Sequence, residues 1–352
     1  MTINQLDLEQ HKKTLLSTHL KEDELMKITR EISQNFTSKR EKIGEYVLNK
    51  DYVSAYNYFY LPTNIPKFSY LMDQLPLGLK TSLQDALFID WATGPGTYLL
   101  AYMNFFNTSD VIGIDTSTLM LEQARKNCDF YFANNKAKLQ THPPINVQNN
   151  NVYLHFGNGI NEMKESEVTS IIQKINPQHV SFIEPGTPEV FKKILKIRNF
   201  LKEVGFNCAY PCSQNIGTCP MAKDDWCHQV LKTKHHQSVE RFSQLIKLDR
   251  KSMPMIAHFY TRQEAQNKNR SVTVRFLRET KFSFDIQVCE ESTATLEKNS
   301  TPTLKTLEIL KKHMTKKEKK EFKELSVGTN ITYEKIKEIS EHHFKCQLKR
   351  HE

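Results

Sequence analysis

Three cysteines, Cys212, Cys219 and Cys227, fall within sixteen residues, in the run Tyr-Pro-Cys-Ser-Gln-Asn-Ile-Gly-Thr-Cys-Pro-Met-Ala-Lys-Asp-Asp-Trp-Cys-His from 210 to 228. Their spacing is Cys-x6-Cys-x7-Cys, and a fourth thiol, Cys289, ends a strand-like run after 61 further residues. Only seven cysteines occur in 352 residues, so this density needs a reason. Pro, Gly, Ser, Asn and Asp flank the three thiols and place them on turns. Turns let several sulfurs converge, as a metal ion or an iron–sulfur centre requires. Four thiolates hold either tetrahedral zinc or a cubane cluster, and no Cys-x2-Cys pair of the zinc-ribbon kind is present. The spacing does not choose between these, nor does it exclude ordinary reduced thiols. Pro211-Cys212 also has the form of the Pro-Cys nucleophile of pyrimidine C5 methylation. Cys208 reads as a buried thiol on a strand, and Cys128 and Cys346 as incidental. His228 reads as a hydrogen-bonding or surface residue, and Asp224-Asp225 as a solvated turn.

A second constellation lies earlier. Asp90-x-x-x-Gly94-x-Gly96 stands between an apolar strand, Leu87 to Asp90, and an apolar helix from Tyr98. Glycines there let the backbone approach a ligand without a Cβ clash, and the following helix N-terminus favours an anionic group. Asp115 closes the next strand-like run, Val111 to Asp115, where an acid can accept ribose hydroxyls. The set suits a dinucleotide or S-adenosylmethionine. Ala92 occupies the place of the usual first glycine. No Asp/Asn-Pro-Pro-aromatic motif, which positions an amine for methyl transfer, is present; Glu184-Pro-Gly-Thr-Pro188 stands at the comparable strand end. No catalytic residue is assigned.

The elements that must position these residues alternate. Strands are expected at Leu87–Asp90, Val111–Asp115, Val152–Phe156 and His179–Glu184. Helices are expected from Tyr98, from Thr116-Ser117 to about Lys126, over 166–175, and from Pro188 to Glu203 before Gly205. That alternation predicts an α/β fold with a parallel sheet. Residues 1–75 read as an N-terminal helical region, interrupted by a break at Leu61-Pro-Thr-Asn-Ile-Pro66. Residues 76–205 read as the α/β core, with a loop and short helix over 127–150. Residues 206–295 carry the thiols, a basic patch and two closing strands, Ser271–Leu277 and Lys281–Cys289. Residues 296–352 read as a basic helical tail with no core face of its own.

Size allows more than one domain and a substantial core. The net charge of +9 is uneven: residues 228–285 hold twelve Lys/Arg against five Asp/Glu, and residues 301–352 hold thirteen against eight. A basic stretch directly after the thiols suits a phosphate backbone, and equally a soluble lysine-rich surface. The longest near-apolar run, Leu99 to Phe106, is too short to span a bilayer, so no membrane partner is expected. The first 25 residues carry five acids and no arginine, so neither a secretory signal nor a mitochondrial presequence is expected. An odd cysteine count without export features points to a reducing compartment. Nothing indicates an obligate oligomer.

Tyr56 to Leu75, Asp90 to Arg125 and Ile183 to Cys289 together resemble the methyltransferase-like family of mitochondrial small-ribosomal-subunit assembly proteins and their bacterial relatives. The runs that carry the resemblance are Glu184-Pro-Gly-Thr-Pro188, Phe191-x2-Ile194-x3-Arg198, Pro211-Cys212 to Cys219-Pro220, and Asp225-Trp-Cys-His228. The resemblance implies a Rossmann-like class I methyltransferase sheet with a cysteine-ligated cluster insertion. It implies a [4Fe-4S] site on Cys212, Cys219, Cys227 and Cys289; zinc in the same four-thiol site is the alternative metal, and the glycine loop leaves S-adenosylmethionine as a further candidate cofactor. It implies small-subunit rRNA and proteins as partners, and a cytoplasmic location, or the mitochondrial matrix in a eukaryote. An active S-adenosylmethionine-dependent methyltransferase acting on rRNA or protein is the alternative. The chain departs from the family at Ala92 and at Ser252-Met-Pro-Met-Ile-Ala-His-Phe-Tyr260, where an acidic-aromatic segment is usual.

Overall fold

The computed structural model describes residues 3–37, 47–134, 136–144, 151–212, 218–221, 225–264, 271–290 and 302–349. Helices α1 (Leu8–His11), α2 (Glu22–Thr37), α3 (Lys50–Asp73) and α4 (Leu77–Gln84) precede β1 (Leu87–Trp91). There follow α5 (Thr97–Phe106), β2 (Val111–Ile114), α6 (Thr118–Tyr131), β3 (Lys138–Gln140), β4 (Val152–Gly157), α7 (Glu165–Ile175), β5 (His179–Pro185) and α8 (Pro188–Glu203). Next come β6 (Asn207–Tyr210), β7 (Gln229–Lys232), α9 (Gln237–Ile246) and β8 (Ser252–Thr261). The chain ends with β9 (Ser271–Glu279), β10 (Ser283–Glu290), β11 (Thr303–Leu310), α10 (Lys316–Phe322), β12 (Asn330–Ile331), β13 (Tyr333–Ser340) and β14 (His343–Leu348). It divides into two compact units, the first formed by 1–163, 170–183 and 231–253, the second by 164–169, 184–230 and 254–352.

In the first unit five strands run parallel in the order β3-β2-β1-β4-β5. This is the Rossmann-like arrangement, and the predicted α/β class stands. The strands are apolar along their length because helices cover a parallel sheet on both faces. Phe88 of β1 stacks on Tyr102 of α5 with ring centroids 4.1 Å apart. Helices α2, α3 and α9 close a second core, in which Leu25, Ile32, Phe59 and Phe242 are buried.

The expected break at Pro62 and Pro66 is absent: α3 continues through both prolines. Each proline removes one helical hydrogen bond. Burial outweighs that loss, since Phe59, Leu61, Ile65, Phe68 and Leu71 are wholly buried and lie on every side of the helix. Thr63 Oγ1 also donates to the Phe59 carbonyl at 3.0 Å, giving that carbonyl a side-chain donor. The stretch 127–150 extends α6 to Tyr131 and adds β3; residues 135 and 145–150 lie outside the described residues.

In the second unit β6 runs antiparallel to β8, with Cys208 opposite Tyr260. Strands β9 to β14 then form a separate sheet. β9, β10 and β11 are an antiparallel meander, β11 pairs β14 in parallel, and β13 pairs β14 antiparallel. β12, one residue before β13, pairs back onto β9. Four strands and one bent strand, β12–β13, therefore close into a barrel. Phe284, Ile286, Val288, Leu307, Ile309 and Phe344 fill it, and Phe322 of α10 stacks on Phe284 at 5.1 Å.

The expectation of a helical tail is thus corrected: residues 303–348 are mostly strand, with one short helix. The period-2 signal is present, with Leu307 and Ile309 in β11 and Phe344 and Cys346 in β14 facing inward. Interleaved lysines and glutamates gave the same stretch a helical look. The residues also have a core, contrary to the reading that they lacked one. Cys346 is wholly buried there.

Candidate functional site

Two sets of chemistry-bearing residues were expected, and each unit holds one. In the first unit, β1 delivers Asp90 to its end and the chain then makes a tight loop into α5. The loop needs left-handed backbone at three places: Ala92 at φ 57°, Gly94 at φ 54° and Gly96 at φ 84°. A Cβ on Gly96 would stand 3.3 Å from the Cβ of Ala124, so α6 packs close there. A Cβ on Gly94 would meet nothing within 4 Å, which leaves the loop backbone open on that side. Ala92 is the one L-residue forced into this conformation within the loop, and the methyl group lies against Gly159, whose own Cβ would come within 2.9 Å of it.

Asp90 is 1% exposed and accepts the Thr93 hydroxyl at 2.6 Å. Burial pushes its carboxyl up to about 8, Thr93 opposes, and the charge of Asp115 adds to the rise. Asp115 accepts the Gly94 amide at 2.8 Å on one oxygen and the Ser117 amide at 2.8 Å on the other. Burial raises its affinity for a proton and those two amides lower it. Each oxygen keeps a lone pair, so the carboxylate can still accept two hydroxyls. The structure thus brings Asp90, Gly94, Gly96 and Asp115 together. It adds Glu162, which sequence reading missed; burial raises its pKa, and the nearby charge of Asp115 raises it further. Asn158, whose side-chain amide donates to Tyr98 Oη at 3.1 Å, joins the β4 end to α5. In the sequence that second loop is marked by Gly157-Asn158-Gly159, directly after the expected strand Val152–Phe156.

In the second unit the four cysteines come to one cavity of about 50 Å³ lined by Cys212, Cys219, Cys227 and Cys289. That volume exceeds the roughly 10–15 Å³ one water needs. Cys212 follows β6, Cys227 precedes β7 and Cys289 lies on β10. Residues 213–217 and 222–224, including Asp224, lie outside the described residues. None of the seven cysteines is in a disulfide. Among the described residues no group of three or more His, Cys, Asp or Glu side chains is arranged to hold a metal ion.

Electrostatics distinguish the four. A hydrogen bond from Cys208 favours the Cys212 thiolate; burial opposes it and the Arg198 guanidinium supports it, and the net effect is a lowered pKa. Burial, then the charge of Cys212, push Cys219 and Cys227 up. Arg198 of α8 is 2% exposed; burial works against its charge, but nearby thiolates, Cys212 foremost, hold it charged. His258 of β8 lines the same cavity and is 2% exposed. Its Nδ1 meets Tyr260 Oη at 2.8 Å, while its Nε2 has no hydrogen-bond partner among the described residues. Burial, with the charge of Arg198, pushes His258 down to about 3, so it is neutral. Neither Arg198 nor His258 was expected at the thiols. Cys208 is buried as read, at 1% exposure.

The residues around Cys227 form a clasp. Trp226 Nε1 donates to the Gly186 carbonyl at 3.1 Å, and the Trp226 ring stacks on His228 at 5.3 Å. Asp225 is not a solvated turn: Arg275 of β9 pairs with it at 2.6 Å, and it accepts the Trp226 amide at 2.8 Å. Gly186 has no room for a side chain, since a Cβ would lie 2.8 Å from the Met255 nitrogen. The Glu184–Pro188 segment is therefore pressed onto the β8 backbone, and Thr187 caps α8 by accepting the Val190 amide. The departure at Ser252–Tyr260 is the strand β8 itself.

Six of the twelve cations of the basic segment 228–285 are engaged internally, all but one of them arginines. Arg241, Lys251, Arg275 and Arg278 pair with Glu22, Glu240, Asp225 and Asp285. Arg250 lies over Phe59 and Tyr60, and Arg262 over Phe206. Lys268 and Arg270 lie outside the described residues.

A parallel sheet with a glycine loop at the end of β1 defines a Rossmann-like α/β protein, here with a thiol-lined cavity in its second unit. The chain belongs to the mitochondrial small ribosomal subunit Rsm22 family, whose model matches residues 80–312. No curated protein matches it significantly. Among solved structures it is similar to magnesium protoporphyrin IX methyltransferase from Synechocystis PCC 6803 with bound SAH, at 11% identity over 67% of this chain and 100% of that chain, TM-score 0.38. It is also similar to precorrin-6y C5,15-methyltransferase from Geobacter metallireducens, at 15% identity over 55% of this chain and 87% of that one, TM-score 0.35. No helix among the described residues is long and apolar enough to cross a membrane.

Proposed function

We propose that this chain is an assembly factor of the small ribosomal subunit that contacts rRNA and holds an iron–sulfur cluster on Cys212, Cys219, Cys227 and Cys289. The observation that carries the reading is that these four thiols, 77 residues apart at the extremes, line one cavity. The donor set fits a cubane: four thiols, a guanidinium that favours their thiolate forms, and a buried imidazole nitrogen at hand. A cubane takes each thiolate on a different iron. Zinc instead draws four sulfurs to one point at about 2.3 Å each. When bound, the cluster would cross-link the thiol segment to β10 and supply an oxidation-sensitive centre. Arg198 would balance its charge and His258 would offer a hydrogen bond to sulfur.

Anaerobic purification with iron, sulfide and zinc assays and a visible spectrum tests this. About four irons per chain are expected, and Cys219→Ser should lose them. A folded, colourless, iron-free protein overturns the cluster. Binding to small-subunit rRNA should weaken with salt. The location follows the family: the matrix in a eukaryote, the cytoplasm in a bacterium.

A second reading is supported by the open face of Gly94 and the unfilled acceptor capacity of Asp115. Asp90, Gly94, Gly96 and Asp115 would then hold S-adenosylmethionine, with Asp115 on the ribose, whether for methyl transfer to rRNA or protein or as a bound structural ligand. Calorimetry decides: binding that Asp115→Ala abolishes supports it, and no heat at millimolar cofactor removes it.

A further inference from the structure

The barrel of the second unit has a chain order that its sequence concealed. Numbered by passes of the chain, its strands run 1-2-3-5-4, with passes 3 and 5 (β11 and β14) parallel and a helix, α10, between passes 3 and 4. Pass 4 is bent at Thr332, and its first part, β12, returns to pass 1 to close the barrel. Thr332 also accepts the Lys349 amide at 2.9 Å, joining the bend to the end of pass 5. Phe322 of α10 packs into the barrel core against Phe284. This is the topology of the OB barrel, a frequent binder of single-stranded nucleic acid. Topology alone does not assign a ligand, so the surface must carry the argument.

One end of the barrel carries it. The turn between β9 and β10, Thr280-Lys-Phe-Ser283, exposes Phe282 at 70% of its surface, and Phe276 and Leu277 just before it are 40% and 45% exposed. Lys281 stands over the Phe282 ring at 5.4 Å. The link from β11 to α10 lies directly beside this turn, because the Lys311 amide donates to the Phe282 carbonyl at 2.9 Å. α10 returns to the same place, with Lys323 paired to Glu279 at 3.0 Å. Most acids here are engaged: Glu279 holds both Lys311 and Lys323, Glu318 closes the capping box with Thr315, and Glu321 meets Lys317, which leaves Glu324 as the one exposed acid outside an ion pair among the described residues of this end. Lys312, Lys316 and Lys320 are exposed and have no acidic partner among the described residues. An exposed aromatic ring among lysines that outnumber the free acid has the composition of a stacking platform beside a phosphate track.

We propose that this barrel end binds single-stranded RNA, with Phe282 stacking on a base and Lys281, Lys312, Lys316 and Lys320 facing phosphates. The proposal rests on the rRNA-contact reading and assigns it a surface. A single strand is favoured over a duplex because stacking on Phe282 needs an unpaired base. The test is fluorescence anisotropy of the full-length chain with a labelled twelve-nucleotide RNA, single-stranded and in duplex. Phe282→Ala should weaken single-strand binding about 5- to 150-fold, the range for one lost base stack. Phe282→Trp should keep it. The ring is exposed, so neither change touches the core, and circular dichroism checks that. Lys312→Ala with Lys316→Ala should make the salt dependence shallower by about 1.4 in log–log slope. If the wild type binds RNA but Phe282→Ala binds equally well, the barrel end is wrong and the rRNA reading survives. If duplex binds as tightly as single strand, the stacking role falls. If the wild type binds no RNA, or anionic vesicles instead, both readings fail.

Discussion

Ala92 shows what a single methyl group does to a tight glycine loop. It occupies left-handed backbone at φ 57°, where an L-residue costs roughly 1–2 kcal/mol and glycine costs little. Glycine returns part of that through the greater freedom of the unfolded chain. Ala92→Gly should therefore raise stability by about 0.5–1 kcal/mol in urea titration, and a loss would show that the methyl contact with Gly159 outweighs the strain. Asp90, two residues earlier, makes a pH prediction. Its carboxyl stays protonated in the fold up to about 8, against 3.8 ordinarily. Between those values the native chain holds the extra proton, so this residue makes stability fall as pH rises, at up to about 1.4 kcal/mol per pH unit. From pH 5 to pH 8 the wild type should lose stability relative to Asp90→Asn, which cannot ionise. Parallel stability curves for the two would refute a buried neutral acid. The site residues were legible because their chemistry is local in sequence: an acid and two glycines in seven residues, three thiols in sixteen. Arg198 and His258 were not, because their partners come from other elements and neither carries a motif for facing sulfur.

At the scale of elements, the parallel strands and α8 were legible from apolar runs and from the Thr187-Pro188 cap. The elements that misled did so for two physical reasons. In α3 the prolines announce a break that burial on all sides overrides. Pro66 is only half-buried, and restoring its N–H should strengthen the helix. Pro66→Ala is expected to raise stability by about 1–2 kcal/mol, part of the roughly 3 kcal/mol a mid-helix proline costs. Destabilisation would mean that the helix is bent to fit its neighbours and that the ring holds the bend. In the barrel, strand alternation is masked by lysine and glutamate on the outer face, which are helix formers as well as strand surface residues. The parallel pairing of β11 with β14 has no local signature, since it joins segments separated by α10, β12 and β13.

For the molecule as a whole, net charge is a poor guide to where a polyanion binds until the ion pairs are known. By sequence, residues 228–285 carry the densest excess of cations, twelve Lys/Arg against five Asp/Glu. By structure, four of these pair with acids and three lie over aromatic rings. Lys232, Lys234 and Lys247 of this segment are exposed without an acidic partner among the described residues, but Lys281, Lys312, Lys316 and Lys320 are grouped beside an exposed aromatic ring at the barrel end, and three of those four lie in the stretch read from sequence as a helical tail. Salt dependence separates the two footprints, because each phosphate neutralised on a single strand contributes about 0.7 to the log–log slope. Four lysines, Lys281, Lys312, Lys316 and Lys320, should give about −3 for the twelve-nucleotide RNA. Engagement of the whole 228–285 segment would release its ion pairs and give a slope nearer −8. Measured between about 50 and 300 mM salt, a slope shallower than about −4 places the RNA on a small cationic patch. A slope steeper than about −6 would mean that RNA competes successfully with Glu22, Glu240, Asp225 and Asp285 for their arginines and lysines. In that case Arg275→Ala, which frees Asp225, should flatten the slope, whereas binding confined to the barrel end leaves it unchanged.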